Sequence, residues 1–288
     1  MIAVLAWSSN FRPAAFCQAG TATISPQPPL PSGTPKSWAE TAVRQELAII
    51  QDENHPMRYL LRTSNRKGDT TREIIESAQG NVARLIQRDG RPITAAEDAA
   101  ERERLNSILT SPADFLKHEQ RNGPGRTYAL QIIKLMPSAT LYSYTPGQPQ
   151  PAGAGSPQVV LDFRPDPAFH PPSMVSEILT GLAGRVWIDA RTGTMTRMEA
   201  NVIRTVNFGW GFVARVYPGG HIELEQTLVE SKRWTFSHLD SQVTVREIMF
   251  HTINDKTKMS AWNFQFLPAP MPYQDAVHTL LAEKIPLR

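Results

Sequence analysis

Cysteine is all but absent: Cys17 is the only one in 288 residues. A single thiol cannot form an intramolecular disulfide, a Cys-x-x-Cys redox pair or a cysteine zinc site. Long apolar runs are also missing, and no stretch is long and apolar enough to span a membrane as a helix. Charge of one sign is scarce, since 30 Lys and Arg face 27 Asp and Glu for a net +3. These charges are interleaved, which argues against a nucleic-acid footprint. The chain lacks a GxSxG elbow, a P-loop and an HxxxH pair, and its seven histidines are scattered. No cofactor and no metal are expected, and an enzyme ranks last among the functional classes considered.

Two weak resemblances to known motifs fall on inspection. Gly209-x-Gly211-x-x-Ala214 imitates a dinucleotide fingerprint, but it lies in a strand pattern with no helix after it to receive a pyrophosphate. His221, Glu223 and Glu225 alternate in "HIELE", so they share a strand face and could ligate a metal. A solvated face directly after a turn is the favoured reading.

What is present divides into blocks. "MIAVLAW" is short, apolar and without a preceding basic residue, and Cys17 and Ala19 stand at the −3 and −1 positions of a signal-peptidase site. "AAFC" is not a lipidation box, because Phe16 stands where a small residue is needed. Residues 1–19 are therefore expected to be either a truncated export signal or, equally, a plain disordered tail, and residues 20–36 a Pro-rich linker. A single domain over 37–288 should follow.

That domain should open with a helix capped by the box Ser37 to Glu40. Three strands follow: "MRYLLRTSNRK", "TTREIIESAQ" and "NVARLIQRD". A helical insertion over 94–137 starts with the box Thr94 to Glu97, breaks at Ser111-Pro112, and ends with a separate run "YALQIIKLM" before Pro137. Strands "ATLYSYT" and "QVVLDF", a short helix "SMVSEILTGL" and a long meander from Gly184 come next. A helix over 272–285, with Tyr273, Val277, Leu280 and Leu281 on one side, closes the chain. Roughly eleven strands with helices inserted in blocks give an α+β protein built on a large curved antiparallel sheet, an incomplete β-barrel with helices plugging its concave side.

Two sets of residues are candidates for a site. Arg58, Arg62, Arg84 and Arg88 make the first three strands basic and could meet anionic head groups. The acidic segment 94–121 could instead sit against these strands and neutralise them. The second set is aromatic. Phe208, Trp210 and Phe212 alternate with Gly209 and Gly211, Trp262, Phe264 and Phe266 alternate in "WNFQF", and Trp187 stands near the start of the meander. Such stripes fill a core, or they line a cavity on the concave face of one curved sheet.

The order of these blocks, with "GLAGRVWIDARTGTMTRMEA", "FRPDPAFHPPS" and "YPGGHIELEQTLVESKRW", resembles the periplasmic lipoprotein-sorting carriers (LolA/LolB-like) and their uncharacterised exported relatives. Val186 to Asp189, the Thr192-Gly193 turn and Arg197 are similar to that family's strand–turn–strand. The resemblance implies an exported, periplasmic protein whose concave face accepts acyl chains, with a lipid or a lipidated protein as partner. Binding of a hydrophobic ligand without catalysis is the leading expectation. An exported interaction protein with a permanently filled core is the alternative.

Overall fold

The computed structural model describes residues 31–52, 54–208, 214–247 and 251–288. The export signal expected over 1–19 lies outside the described residues. The linker expected over 20–36 ends early, because Thr34 already caps the first helix, α1 (Pro35–Ile50). The capping box is Thr34 with Ser37, one turn before the expected Ser37 with Glu40: the Ser37 amide donates to Thr34 Oγ1 at 3.1 Å and the Thr34 amide to Ser37 Oγ at 3.0 Å. Pro35 explains the shift, since its fixed φ and missing N–H suit the first helical position.

The second box forms where the sequence places it. Thr94 accepts from the Glu97 amide at 3.2 Å, Glu97 accepts from the Thr94 amide at 2.9 Å, and α2 runs Ala95–Thr110. Pro112 then opens α3 (Pro112–Ala139), one helix of 28 residues where a break and a separate run are expected. It carries Gly123, Pro124 and Gly125 in its interior and continues past Pro137. Contacts at both ends outweigh those local propensities. Phe115 stacks on Tyr273 with ring centroids 4.9 Å apart, and Gln131 Nε2 donates to Ser173 Oγ at 2.6 Å. The "SMVSEILTGL" segment forms a 3₁₀ turn, Val175–Thr180, and the chain closes with α4 (Tyr273–Ala282), which buries Tyr273, Ala276, Val277 and Leu280.

The strands are β1 (Met57–Asn65), β2 (Gly68–Ser77), β3 (Gly80–Arg88), β4 (Arg91–Pro92), β5 (Thr140–Tyr144), β6 (Gln158–Pro165) and β7 (Leu182–Asp189). They continue as β8 (Met195–Val202), β9 (Val206–Phe208), β10 (Ala214–Val216), β11 (His221–Val229), β12 (Arg233–Glu247) and β13 (His251–Phe266). All thirteen join one antiparallel sheet that does not close into a barrel, in the order β4-β3-β2-β1-β13-β12-β11-β8-β7-β6-β5, with β10 on β12 and β9 on β10. The count exceeds the expected eleven through the two-residue β4 and through the split of the "NFGWGFVARV" segment. Val206–Phe208 pairs antiparallel with Ala214–Val216, Phe208 opposite Ala214, where one continuous strand is expected.

The two faces of this sheet differ. On one, α1 lies across the strands and buries Val159 and Leu161 of β6, Val186 and Ile188 of β7 and Met195 of β8 with its own Ala39 and Ala42. Gly184 belongs to this face, and a Cβ there would run into the backbone of Glu199 and Ala200, so β7 and β8 approach too closely for any side chain. On the other face, the register aligns Asp162, Arg185, Glu199, Glu223, Asp240 and Lys258 in one row across six strands. Pairs such as Arg185–Asp162 and Lys258–Asp240, both at 2.7 Å, make it a solvated ionic surface. At its β2–β3 end this second face is apolar, and α4 covers Ile75 and Val82 there.

Helix α2 runs beside β3, whose outer edge β4 covers only at Gln87 and Arg88. The unpaired Leu85 amide donates to Glu101 Oε1 at 2.7 Å, and the Ala83 carbonyl accepts from Arg104. Side chains of a helix thus complete the edge ladder, which shields it from a foreign strand.

Candidate functional site

The four arginines of the basic strands do not form an anion-binding patch. Arg58 pairs with Glu73 and Glu283, Arg62 with Asp69 and Arg88 with Glu97. Arg84 is fully buried, bonded to Asp98 at 2.8 Å, to the Glu283 carbonyl at 3.0 Å and to the Leu280 carbonyl. It holds the last turn of α4, where unpaired carbonyls and the helix dipole favour a cation. Burial alone would raise the Asp98 carboxyl, but hydrogen bonds from Arg84 and Arg102 outweigh it and hold it below the ordinary range. The acidic helix neutralises the basic strands.

"HIELE" does place His221, Glu223 and Glu225 on one face, which is the ionic one. Arg197 gathers three carboxylates there: Glu199 at 2.7 Å, Glu223 at 2.5 Å and Glu225 at 2.7 Å. Among the described residues no group of three or more His, Cys, Asp or Glu is placed to hold a metal ion.

The aromatic candidates scatter. Trp187 lies on the ionic face, not on the apolar one; it is 7% exposed, with Arg185 and Arg197 over its ring at 5.8 and 5.5 Å and its Nε1 donating to the Pro149 carbonyl at 3.1 Å. Phe208 packs with Val202, Val206, Val216, Ile178 and Leu182 in a small cluster under the 3₁₀ turn. Trp210 and Phe212 lie outside the described residues. The "WNFQF" stripe is broken by a bulge. Leu60 and Arg58, two residues apart on β1, face Trp262 and Gln265, three apart on β13, and Asn263 adopts φ +59°. The extra residue turns the strand over. Trp262, 41% exposed, therefore shares the face of Arg58 and Gln265, while Phe264 and Phe266 look the other way, with Tyr59 and Met57. Phe264 packs on Tyr59 with ring centroids 5.4 Å apart. Phe266 sits at the strand end between His55 and Lys232.

What the structure brings together is a different apolar surface. It lies on the α1 face beyond the part that α1 seals, over β11, β12, β13 and β1. The register sets Leu224, Leu239, Met259 and Thr63 in one row, and Gln226 with Phe236 and Leu228 with Trp234 in the next two. Leu61, Tyr59 and Phe264 continue the surface. Leu61, Leu224, Leu228, Phe236, Leu239, Met259 and Phe264 are all partly exposed, whereas Val159, Leu161 and Ile188 of the same face are at most 2% exposed under α1. Period-two alternation could have indicated this set in "RYLL" and in "WTFSHLD", but a bulge between Phe236 and His238 breaks the second pattern.

A buried polar group borders the surface. Glu46, on the last turns of α1, is 9% exposed and accepts from Gln226 Nε2 at 2.6 Å. Burial pushes its carboxyl up to about 7, and the Gln226 hydrogen bond offsets only part of that. Burial also raises the Tyr59 hydroxyl, which stays protonated.

A cleft of about 860 Å³ lies between Trp38 and the 148–158 loop. Its lining holds no charged side chain, and its two most reactive-looking amides are already engaged. Gln148 accepts from the Val160 amide at 2.9 Å and donates to the Val160 carbonyl at 2.8 Å, and Gln150 does the same for Gln158 at 2.8 and 3.0 Å. They extend the ladder of β6 where β5 has ended.

No helix among the described residues is long and apolar enough to cross a membrane. Comparison with protein-family models, with curated proteins and with solved structures found no match.

Proposed function

We propose that the protein binds an aliphatic chain, such as the acyl group of a lipid or of a lipidated partner, along the apolar surface over β11, β12, β13 and β1. One observation carries this reading. A single face of a single sheet is sealed under α1 yet left partly open a few strands away, with no loss of apolar character. Among the described residues the opposite face carries a row of ion pairs, and its apolar β2–β3 end lies under α4. A contiguous apolar surface that stays accessible marks a binding site more often than a core. Each methylene removed from water contributes about 0.8 kcal/mol, so a chain of a dozen carbons supplies useful affinity. The binding requires no catalysis, and we place it in the cell envelope, which the resemblance to exported carriers supports.

Titration of the full chain with a neutral apolar dye, Nile red, tests the proposal. Leu239→Glu puts a charge in the middle of the surface without touching the sealed core. It should weaken dye binding about tenfold or more while the melting temperature stays within a few degrees. A dye that never binds, or binding that Leu239→Glu leaves unchanged, would reject the site in favour of a filled, ligand-free interaction protein.

A further inference from the structure

The partly open surface carries two buried polar atoms without a partner: Trp234 Nε1 and Gln226 Oε1. A buried donor and a buried acceptor left unpaired are each destabilising, so their persistence on one face calls for a reason. Their placement supplies one. Gln226 lies opposite Phe236 and Leu228 opposite Trp234, which makes Gln226 and Trp234 diagonal neighbours on adjacent strands. Diagonal neighbours on one face are close enough for long and aromatic side chains to meet. Both are on the α1 face, because Gln226 Nε2 bonds Glu46 of α1. One atom can only donate and the other can only accept, yet they are not bonded to each other.

We propose that Trp234 and Gln226, beside Glu46, receive the uncharged hydroxyl end of the bound chain, so that the ligand class is a long-chain alcohol or a hydroxyl-headed lipid. The inference rests on the chain-binding reading above. A hydroxyl accepts from the indole N–H and donates to the amide oxygen in one position, which satisfies both atoms. A carboxylate has no proton for Gln226 Oε1 and would leave water with no cation to pair it. An ammonium has no lone pair for the indole. Arg233, next to Trp234 in sequence, is already paired with Glu76 at 2.7 Å and gives a carboxylate no uncompensated cation.

Displacement of Nile red from the full chain by 1-dodecanol, dodecanoate and dodecylammonium, at equal chain length, tests the assignment. Dodecanol should displace the dye at about one-tenth the concentration the two ions require. Trp234→Phe keeps the ring and removes the donor, and Gln226→Leu keeps the bulk and removes the acceptor. Either should bring the preference down to about threefold or less, each measured against that variant's own Nile red affinity, and the second variant serves if the first fails to fold. Equal displacement by all three probes overturns the hydroxyl assignment but leaves chain binding standing. A preference that survives both variants also overturns it, since the two atoms would then be satisfied by water. If Nile red itself does not bind, chain binding fails and this assignment fails with it.

Discussion

Glu46 shows what one residue under a helix can do. Its neighbours on α1, Ala39 and Ala42, are apolar contacts with the sheet, and a carboxyl at the same helix face has to be taken out of water with only Gln226 as partner. The folded chain keeps that proton to about pH 7, against an ordinary value of 4.5. The folded state therefore holds one proton more than the unfolded state between these limits. Its stability is full below 4.5, declines as pH rises through the window, and levels off above 7. The decline should reach about 3 kcal/mol, at 1.36 kcal/mol for each pH unit. Glu46→Gln removes the titration and retains a hydrogen-bonding amide, so it should be more stable than the natural chain at pH 8 and nearly equal to it at pH 4.5. Urea unfolding of both chains across that range is the measurement. Parallel pH curves would mean that Glu46 is solvated. The other shifted carboxylates cancel in this comparison, because both chains contain them.

Helices do two jobs in this fold beyond covering apolar surface. Helix α2 has little apolar surface of its own; what it offers is Glu97, Asp98 and Glu101, set by the Thr94 cap to meet Arg88, Arg84 and the edge of β3. Burial raises the Glu101 carboxyl, but hydrogen bonds from Arg104 and the Leu85 amide dominate and hold it below its ordinary range. Removing that carboxylate leaves a strand edge with a bare amide and releases Arg104. Glu101→Ala should cost about 1–3 kcal/mol in urea unfolding, and the exposed edge should promote self-association visible by light scattering. A monodisperse variant of unchanged stability would show that β3 does not depend on α2. The glutamines of the 148–158 loop do for β6 what Glu101 and Arg104 do for β3. In both places side chains replace a strand that is not there.

At the scale of the molecule, the decisive contact is β1 on β13. It joins the N-terminal strands to the C-terminal meander across some 200 residues of chain, from Met57 opposite Phe266 to Ser64 opposite Lys258. Without it the protein would be two smaller sheets, with α4 packed on a fragment that does not contain its neighbours in sequence. Because α4, α2 and β2–β3 share one apolar cluster, both ends of the chain should unfold together. Far-UV circular dichroism and tryptophan fluorescence, followed in the same urea titration, should report one midpoint. Four of the six tryptophans lie at or beyond Trp187, while much of the helix precedes it, so separate midpoints would reveal two independent units.

The sequence by itself determined most of the elements and their class. The box Thr94 to Glu97, the stop at Ser111-Pro112, the strands of the meander and the buried side of α4 are all local, set by caps, turns and periodicity within a few residues. The antiparallel α+β architecture follows from the order of those elements. Tertiary structure alone decided which residues share a face. Alternation in "WNFQF" places three aromatics together, but the extra residue at Asn263 separates Trp262 from Phe264, and a bulge is stabilised by the neighbouring strand, not by the strand that contains it. The same holds for Arg84, whose partners are Asp98 on α2 and the end of α4, and for Glu46, whose partner Gln226 is 180 residues away. A side chain's neighbours along the chain are fixed by covalent geometry. Its neighbours in space, and so its charge state and its access to a ligand, are fixed by register and packing that form only when distant segments meet.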